Sequence, residues 1–585
     1  KIGGWVKYSV NTYLGSARSL FSWIALSGTK FLGVGTNIKY YVVEGDAFND
    51  ITPLRKTTTG AATFSVANGA TVATVTDSAH GANAGDFVTF SSAASLGGNI
   101  TAAVLNLEFE IQTVPNGNTY TITLSATANG SDSGNGGGST VAKYQIDCGL
   151  DTQVGGTGWG AGTWQRGTWG SAASVSTEAS LALWSEDNFG EDLLLNLRNS
   201  AIYYWDKSGG VAARAVNLTS LANASDVPTV AMQVMVSDNS RHIIAFGADT
   251  LGTTTQDPLL IRFSSSESLT DWTPTATNSA GDLRIGTGSK FVTAVETKRE
   301  IVVFTDSTVH SMTYLGAPFT FGITPLSTGI TIMGPNAAVA VEEAVFWMGQ
   351  DSFYLYEGRT QQMPCTVKDK VFFDFNYSQK DKVYAAHNSE FTEITWFYCS
   401  DTNSVANGGN GQNDKYVTYN YTEKVWYYGS MARSSFIDRG TFQYPIGAES
   451  GYLYNHEIGY DDDGSAMSTS LEASPVDMGD GQKFVSISRI IPDISFQGSS
   501  TTGAAPAVNM TLSMQDFPGS SYGQTETDTV TLTASSTTVP FEQFTTKADI
   551  RLRGRSFCFK VASTGAGVRW RLGSPRIDVR EDGRR

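Results

Sequence analysis

The sequence predicts an all-β protein with three parts: a β-propeller-like body of six or seven blades, a small β domain inserted near its start, and a C-terminal antiparallel β domain. Three observations predict it. The composition suits strands and turns, with 61 Gly, 24 Tyr, 30 Phe and 12 Trp, while charged residues make up only 16%. Aromatic and β-branched side chains fit pleated, half-buried surfaces, and glycines fit turns. A hairpin unit recurs along the chain, and its rhythm breaks in two places.

The unit is a short apolar strand, a Gly/Asn/Asp/Ser turn and a second strand rich in aromatics. Copies run from Phe21 to Tyr41, Leu193 to Trp205, Ile301 to Tyr314, Ala344 to Tyr356, Tyr416 to Tyr428 and Gly440 to Tyr454. Starts at 193, 242, 300, 344, 394 and 441 give steps of 49, 58, 44, 50 and 47. A four-stranded propeller blade takes about 40–50 residues. One blade cannot bury both of its faces, so neighbours stack, and closing the ring protects the edges. The competing reading is a set of unrelated hairpins packed in sandwiches.

The breaks set the domains. Residues 1–59 begin the body and 60–143 form the insert, with alternating strands at Phe87–Phe90, Phe109–Ile111 and Tyr120–Thr123. A Gly/Ser/Asn tether follows at 129–138. Residues 144–464 continue the body, entered through the Gly/Trp-rich stretch 155–170 with Trp159, Trp164 and Trp169. Residues 465–585 have longer alternating strands, such as Val508–Met514 and another beginning at Val530. No apolar run reaches the roughly 18 residues of a membrane-crossing helix, and no signal-peptide pattern is visible. The chain opens at Lys1 rather than Met, so native residues are expected to precede it.

Four cysteines, Cys148, Cys365, Cys399 and Cys558, are scattered without CxxC or metal-ligand spacing. They read as buried free thiols of a protein made in a reducing cytoplasm. The formal charge is −16, which argues against gripping nucleic acid over the whole surface. Residues 547–585 hold 11 Lys/Arg against 4 Asp/Glu, a net of +7, leaving −23 for the rest.

Motifs for chemistry are weak. His80, His242, His310, His387 and His456 share no metal-type spacing and no nucleophile motif. No Gly-Lys-Ser/Thr phosphate loop occurs. Asp461-Asp462-Asp463-Gly464 offers three carboxylates for calcium, against the plainer reading of a solvated interdomain turn. Glu342-Glu343 invites comparison with glycosidase carboxylate pairs, and Tyr427, Tyr428 and the three tryptophans above with sugar-stacking platforms, although such aromatics serve β cores equally well. No catalytic, cofactor or metal residue is assigned, and the chain is expected not to be an enzyme. Arg551, Arg553 and Arg555 alternate, as do Arg569 and Arg571, so each set projects from one strand face. These arginines are the candidate subunit-interface or DNA-facing residues. Two partners are open to them, phosphates or carboxylates of this chain or a neighbouring subunit, and the −23 of the remainder favours carboxylates.

Several stretches together resemble a known family. They are Lys1-Ile-Gly-Gly-Trp5, Phe31-Leu-Gly-Val-Gly-Thr-Asn-Ile-Lys-Tyr-Tyr41, Asp50-Ile-Thr-Pro53 and Trp184-Ser-Glu-Asp-Asn-Phe-Gly-Glu-Asp192. Later come Asn455-His456-Glu457, Asp461–Gly464, Leu471-Glu472, Gly479-Asp480-Gly481 and Arg489-Ile-Ile-Pro492-Asp493, then Arg553-Gly-Arg555, Trp570-Arg-Leu-Gly573, Arg576-Ile-Asp578 and Asp582-Gly-Arg584. In this order they resemble the tail nozzle, or packaged-DNA stabilisation, proteins of short-tailed bacteriophages (podoviruses), over nearly the whole chain except the insert. The insert resembles small β modules of phage tail proteins.

The resemblance implies a homo-hexamer below the portal and its adaptor ring that continues the channel for double-stranded DNA. It implies contacts with tail fibres or tailspikes, and a place in the virion tail after assembly in the host cytoplasm. It supplies no catalytic residues. An acidic lumen wall that repels phosphates is expected to let DNA slide. Two rival readings are a tail protein that binds or depolymerises surface polysaccharide, and an extracellular propeller adhesin.

Overall fold

A computed structural model describes residues 2–153, 181–473, 476–477, 481–501, 505–515 and 536–583. The chain divides into two compact units, Ser9–Leu453 and Lys1–Tyr8 with Tyr454–Arg585. The Gly/Trp-rich stretch 155–170 and the strand expected at Val530 lie outside the described residues.

In the larger unit, antiparallel sheets follow one another along the chain. The first is Ala17–Ile24, Lys30–Thr36, Tyr40–Glu44 and Ala47–Asp50, hydrogen-bonded in that order. Five more four-stranded sheets span 184–217, 233–284, 291–328, 338–362 and 384–430, and a seventh begins with Ser435–Ile437 and Ile446–Glu449. The leading strands touch in succession, and Ser435–Ile437 lies against Ala17–Ile24, so the ring closes at seven. Between the third and fourth sheets the Gln233 side chain makes the joint: Nε2 donates to Ala294 O (2.8 Å) and Oε1 accepts from Ala294 N (2.9 Å). The body is thus a propeller-like ring, at the upper of the two expected blade numbers. Five of the six starts counted in the sequence fall within one residue of the start of a second strand, the apolar strand of each sheet, while 441 precedes Ile446–Glu449.

Aromatics wedge between consecutive sheets. Trp23 meets Trp205 edge-on at 6.2 Å, Phe304 meets Trp347 at 5.1 Å, and Phe353 packs on Trp396 at 4.9 Å. Trp205, Trp272, Trp347 and Trp396 are fully buried. A large flat ring fills the space between two twisted sheets and adds oriented ring–ring contact to the area it buries.

The insert leaves the first sheet through Leu54–Thr59 and returns through Val141–Gln145, which pair with each other. Two four-stranded sheets enclose its own core around Phe64, Phe90, Tyr120 and Tyr144. A charged network sits at its root. Lys39 Nζ contacts Asp50 Oδ2 (2.7 Å) and Glu108 Oε2, Arg214 Nη1 donates to Asp50 Oδ1 (2.7 Å), and Gln145 Nε2 donates to Glu108 Oε1 (2.6 Å). Asp50 and Lys39 come from the first sheet, Arg214 from the second and Glu108 and Gln145 from the insert, so the network ties all three.

The smaller unit has Trp5–Lys7 paired antiparallel with Tyr454, Asn455 and His456. A five-stranded sheet of Thr469–Glu472, Val476–Asp477, Ala507–Gln515, Ser536–Glu542 and Ser556–Ser563 packs with a three-stranded sheet of Val485–Ile491, Ala548–Gly554 and Arg576–Glu581. Their inward faces supply one core, including Ile487, Met510, Leu512, Phe541 and Val561. Among the described residues no helix is long and apolar enough to cross a membrane.

Candidate functional site

The candidate arginines lie on the smaller unit, and the structure gives them different surroundings. Arg551 and Arg553 point outward from Ala548–Gly554 on either side of buried Leu552. Arg553 Nε donates to Asp582 Oδ2 (2.6 Å), and its guanidinium covers the Phe484 ring at 4.3 Å. Arg555 covers the same ring at 5.0 Å. Arg569 covers Tyr460 at 5.5 Å. Among the described residues the exposed side chains of Arg551 and Arg571 have no ion-pair or hydrogen-bond partner. Alternation thus brings Arg551 and Arg553 to one face, beside Arg489, which pairs with Asp578 at 3.5 Å. Arg555 stays beside Arg553 at Phe484, whereas Arg569 sits over Tyr460 and Arg571 lies on a separate strand. Arg584 and Arg585 lie outside the described residues.

Asp461, Asp462 and Asp463 diverge to three separate donors. Asp461 Oδ1 accepts from Gly567 N, Asp462 Oδ1 from Trp5 Nε1 (2.5 Å), and Asp463 Oδ1 from Lys7 N (3.2 Å), with Lys7 Nζ 3.3 Å from Asp463 Oδ2. Trp5 also stacks on His456 at 5.5 Å. Each carboxylate therefore fastens the segment Trp5–Lys7 or the Gly567 turn. Among the described residues no group of three or more His, Cys, Asp or Glu is placed to hold a metal.

The other candidates are also separated. Glu343 pairs with Arg299 at 2.9 Å, while Glu342 occupies a turn at φ 57°. Tyr427 donates to Glu393 Oε2 (2.7 Å) inside the sixth sheet, and Tyr428 is half-exposed. Trp159, Trp164 and Trp169 lie outside the described residues. The histidines are scattered. His387 stands beside a carboxylate, with Nδ1 3.1 Å from Asp438 Oδ2 and Nε2 3.3 Å from Tyr421 OH. All four cysteines are free thiols, Cys365 half-buried and the others buried.

One site was not singled out in the sequence. A cavity of about 260 Å³ with a mixed lining lies among the leading strands of the ring, its polar border made by Ser19, Glu186, Asp187, Arg198, Thr293 and Tyr384. Burial pushes the Glu186 carboxyl up to about 8, against a smaller opposing effect of the Ser19 hydroxyl. Burial raises Asp187 to about 7 although Val236 N and Asn188 N donate to it at 2.8 Å. Glu296 is likewise raised to about 7 by burial and by Asp238. Arg198 donates to Val292 O (3.0 Å) and Phe291 O (3.2 Å). The available signal was Glu186-Asp187 within a strand opening on Trp184. Alternation in a leading strand must turn one of two adjacent acids towards the axis.

No protein-family description matches this chain, and no curated protein matches it. Among solved structures it is similar to the phage phi92 endosialidase (11% identity, TM-score 0.20), covering 75% of this chain and 57% of that one. It is also similar to BBS1N, solved in complex with ARL6DN (8% identity, TM-score 0.25; 78% and 97% covered). A third is the extracellular domain of a hybrid two-component system from B. thetaiotaomicron (8% identity, TM-score 0.27; 77% and 52% covered). The chain spans little more than half the length of the first and third.

Proposed function

We propose that this chain is a non-enzymatic structural subunit of a short-tailed phage tail. In this reading it is the nozzle protein, six copies of which extend the portal–adaptor channel, retain packaged DNA and conduct it at ejection. What supports the reading is the order of short motifs, through both units, that resemble those of nozzle proteins. Three of those motifs, far apart in the sequence, form one structural element: Trp5 meets Asn455–Glu457 and Asp461–Gly464 through the Trp5–His456 strand pairing and the Trp5–Asp462 hydrogen bond.

In this reading the DNA lumen lies between copies, which makes assembly essential to the function. The outward arginines Arg551 and Arg571 are candidates for contacts to carboxylates of an adjacent subunit or to phosphates. Adaptor ring and fibres or tailspikes are the expected neighbours.

Native mass spectrometry of the full chain, alone and with an adaptor ring, tests the reading. A hexamer, or a six-fold assembly formed on the adaptor, supports it. A stable monomer that degrades surface polysaccharide rejects it in favour of a depolymerase.

A further inference from the structure

At the ring axis two sealed polar atoms face one another across the joint between the first and second sheets. Ser19 belongs to the leading strand of the first sheet and is 6% exposed. Glu186 belongs to the leading strand of the second. Ser19 Oγ and Glu186 Oε2 are closed off from solvent and bonded to no third group, and the Ser19 hydroxyl beside the carboxyl favours its ionised form. An ionised carboxylate there has its Oε2 cut off from water and no counter-charge against it, and burying a charge unpaired is far more costly than burying the neutral acid. Both residues also border the axial cavity, which gives the side chain room to turn away from the joint.

We propose that Glu186 and Ser19 form a proton-operated latch between the first and second sheets: closed while Glu186 is a neutral acid sealed beside the Ser19 hydroxyl, and released when Glu186 loses its proton and turns into the cavity. The charged and titratable groups around Glu186 agree with this arrangement. Asp187, next along the strand, carries like charge and disfavours a second anion. Tyr384 from the sixth sheet and Tyr40 from the first are buried phenols whose own ionisation Glu186 opposes. Arg198 also borders the cavity, with its guanidinium held by backbone carbonyls. It is the cation towards which a released carboxylate would turn.

The sign follows from linkage. The closed form holds its proton up to about pH 8, whereas an exposed glutamate releases it near pH 4.3. Opening therefore grows about tenfold per pH unit between those values and levels off above the upper one. Asp187 contributes in the same sense but is exhausted near 7, which leaves pH 7–8 to Glu186.

Amide hydrogen exchange of Ala17–Ile24 and Trp184–Phe189 in the full chain, corrected for the intrinsic pH effect, tests the latch. The wild type is expected to open about fivefold more between pH 7 and 8 and to level off above, and Glu186→Gln to be nearly flat across that interval. Ser19→Ala removes the group that favours the carboxylate, so its rise should extend beyond pH 8. A flat wild type, or an equal rise in Glu186→Gln, overturns the proposal. Should Glu186→Gln fail to fold, Ser19→Ala decides: an end point still at pH 8 overturns it.

Discussion

Lys39 Nζ lies 2.7 Å from Asp50 Oδ2, in a pocket where the lysine is only 2% exposed. The pair is the centre of the network that also takes in Glu108, Arg214 and Gln145. Lys39→Met leaves Asp50 and Glu108 with a reduced counter-charge, and breaking such a buried pair costs about 3 kcal/mol. Denaturant unfolding measures the loss. Limited proteolysis should show the insert's root strands, Leu54–Thr59 and Val141–Gln145, cut before the rest of the ring.

Gly35 allows the first and second sheets to approach closely. A Cβ there would collide with Ser19 Oγ and stand 2.7 Å from the Trp184 ring. The Trp184 indole is already committed, donating through Nε1 to Thr36 O (2.7 Å). Gly35→Ala should therefore overpack the joint and lower stability by about 1–3 kcal/mol, read as a fall in the denaturant midpoint.

The raised acids set a pH dependence of stability to which Glu186 also contributes. Asp187 and Glu296 are raised to about 7, chiefly by burial. Groups raised in this way stabilise fully below their unfolded values near 4, and that contribution is lost as pH rises towards 7. Thermal unfolding should give a higher midpoint at pH 5 than at pH 7, and Glu296→Gln should narrow the difference.

Trp5→Phe keeps the ring that stacks on His456 but removes the Nε1 donor to Asp462. The expected loss is about 1 kcal/mol in the smaller unit, measured by hydrogen exchange of the residues paired with Trp5–Lys7.

Arg551→Glu and Arg553→Ala separate assembly from folding. The Arg551 side chain is exposed and unpaired, so reversing its charge should change stability by no more than about 0.5 kcal/mol while weakening any assembly that uses this face. Arg553→Ala loses both Asp582 and the Phe484 ring and should also destabilise the unit. Native mass spectrometry beside thermal unfolding distinguishes the two effects.

The ring was legible because each sheet's second strand is apolar and aromatic, and that strand recurs at a nearly constant interval. The seventh sheet was harder to count, since Ser435–Ile437 and Ile446–Glu449 are short and follow a turn-rich stretch. The insert's start was read from the loss of rhythm near 60, whereas pairing begins at Leu54, because its root strand Leu54–Thr59 alternates buried and exposed residues like any other strand. Within the arginine set, alternation located Arg551 and Arg553, but the partners of Arg553, Asp582 and Phe484, adjoin other strands, and no spacing rule reaches across a sheet. The axial acids escaped notice for the same reason. Their meaning depends on strands of several sheets converging, and only Glu186-Asp187 is local.

The pairing of Trp5–Lys7 with Tyr454–His456 has a consequence for biosynthesis. The ribosome delivers one partner before the ring and the other only after the sheets of the ring have been made. Until then a short strand with an open edge waits on the nascent chain, where edges are prone to pair with whatever strand is near. Copies translated side by side on one message are the nearest source of such strands. Synthesis rate and chaperone supply would then govern how much of this polypeptide reaches its proper partner instead of a neighbour's.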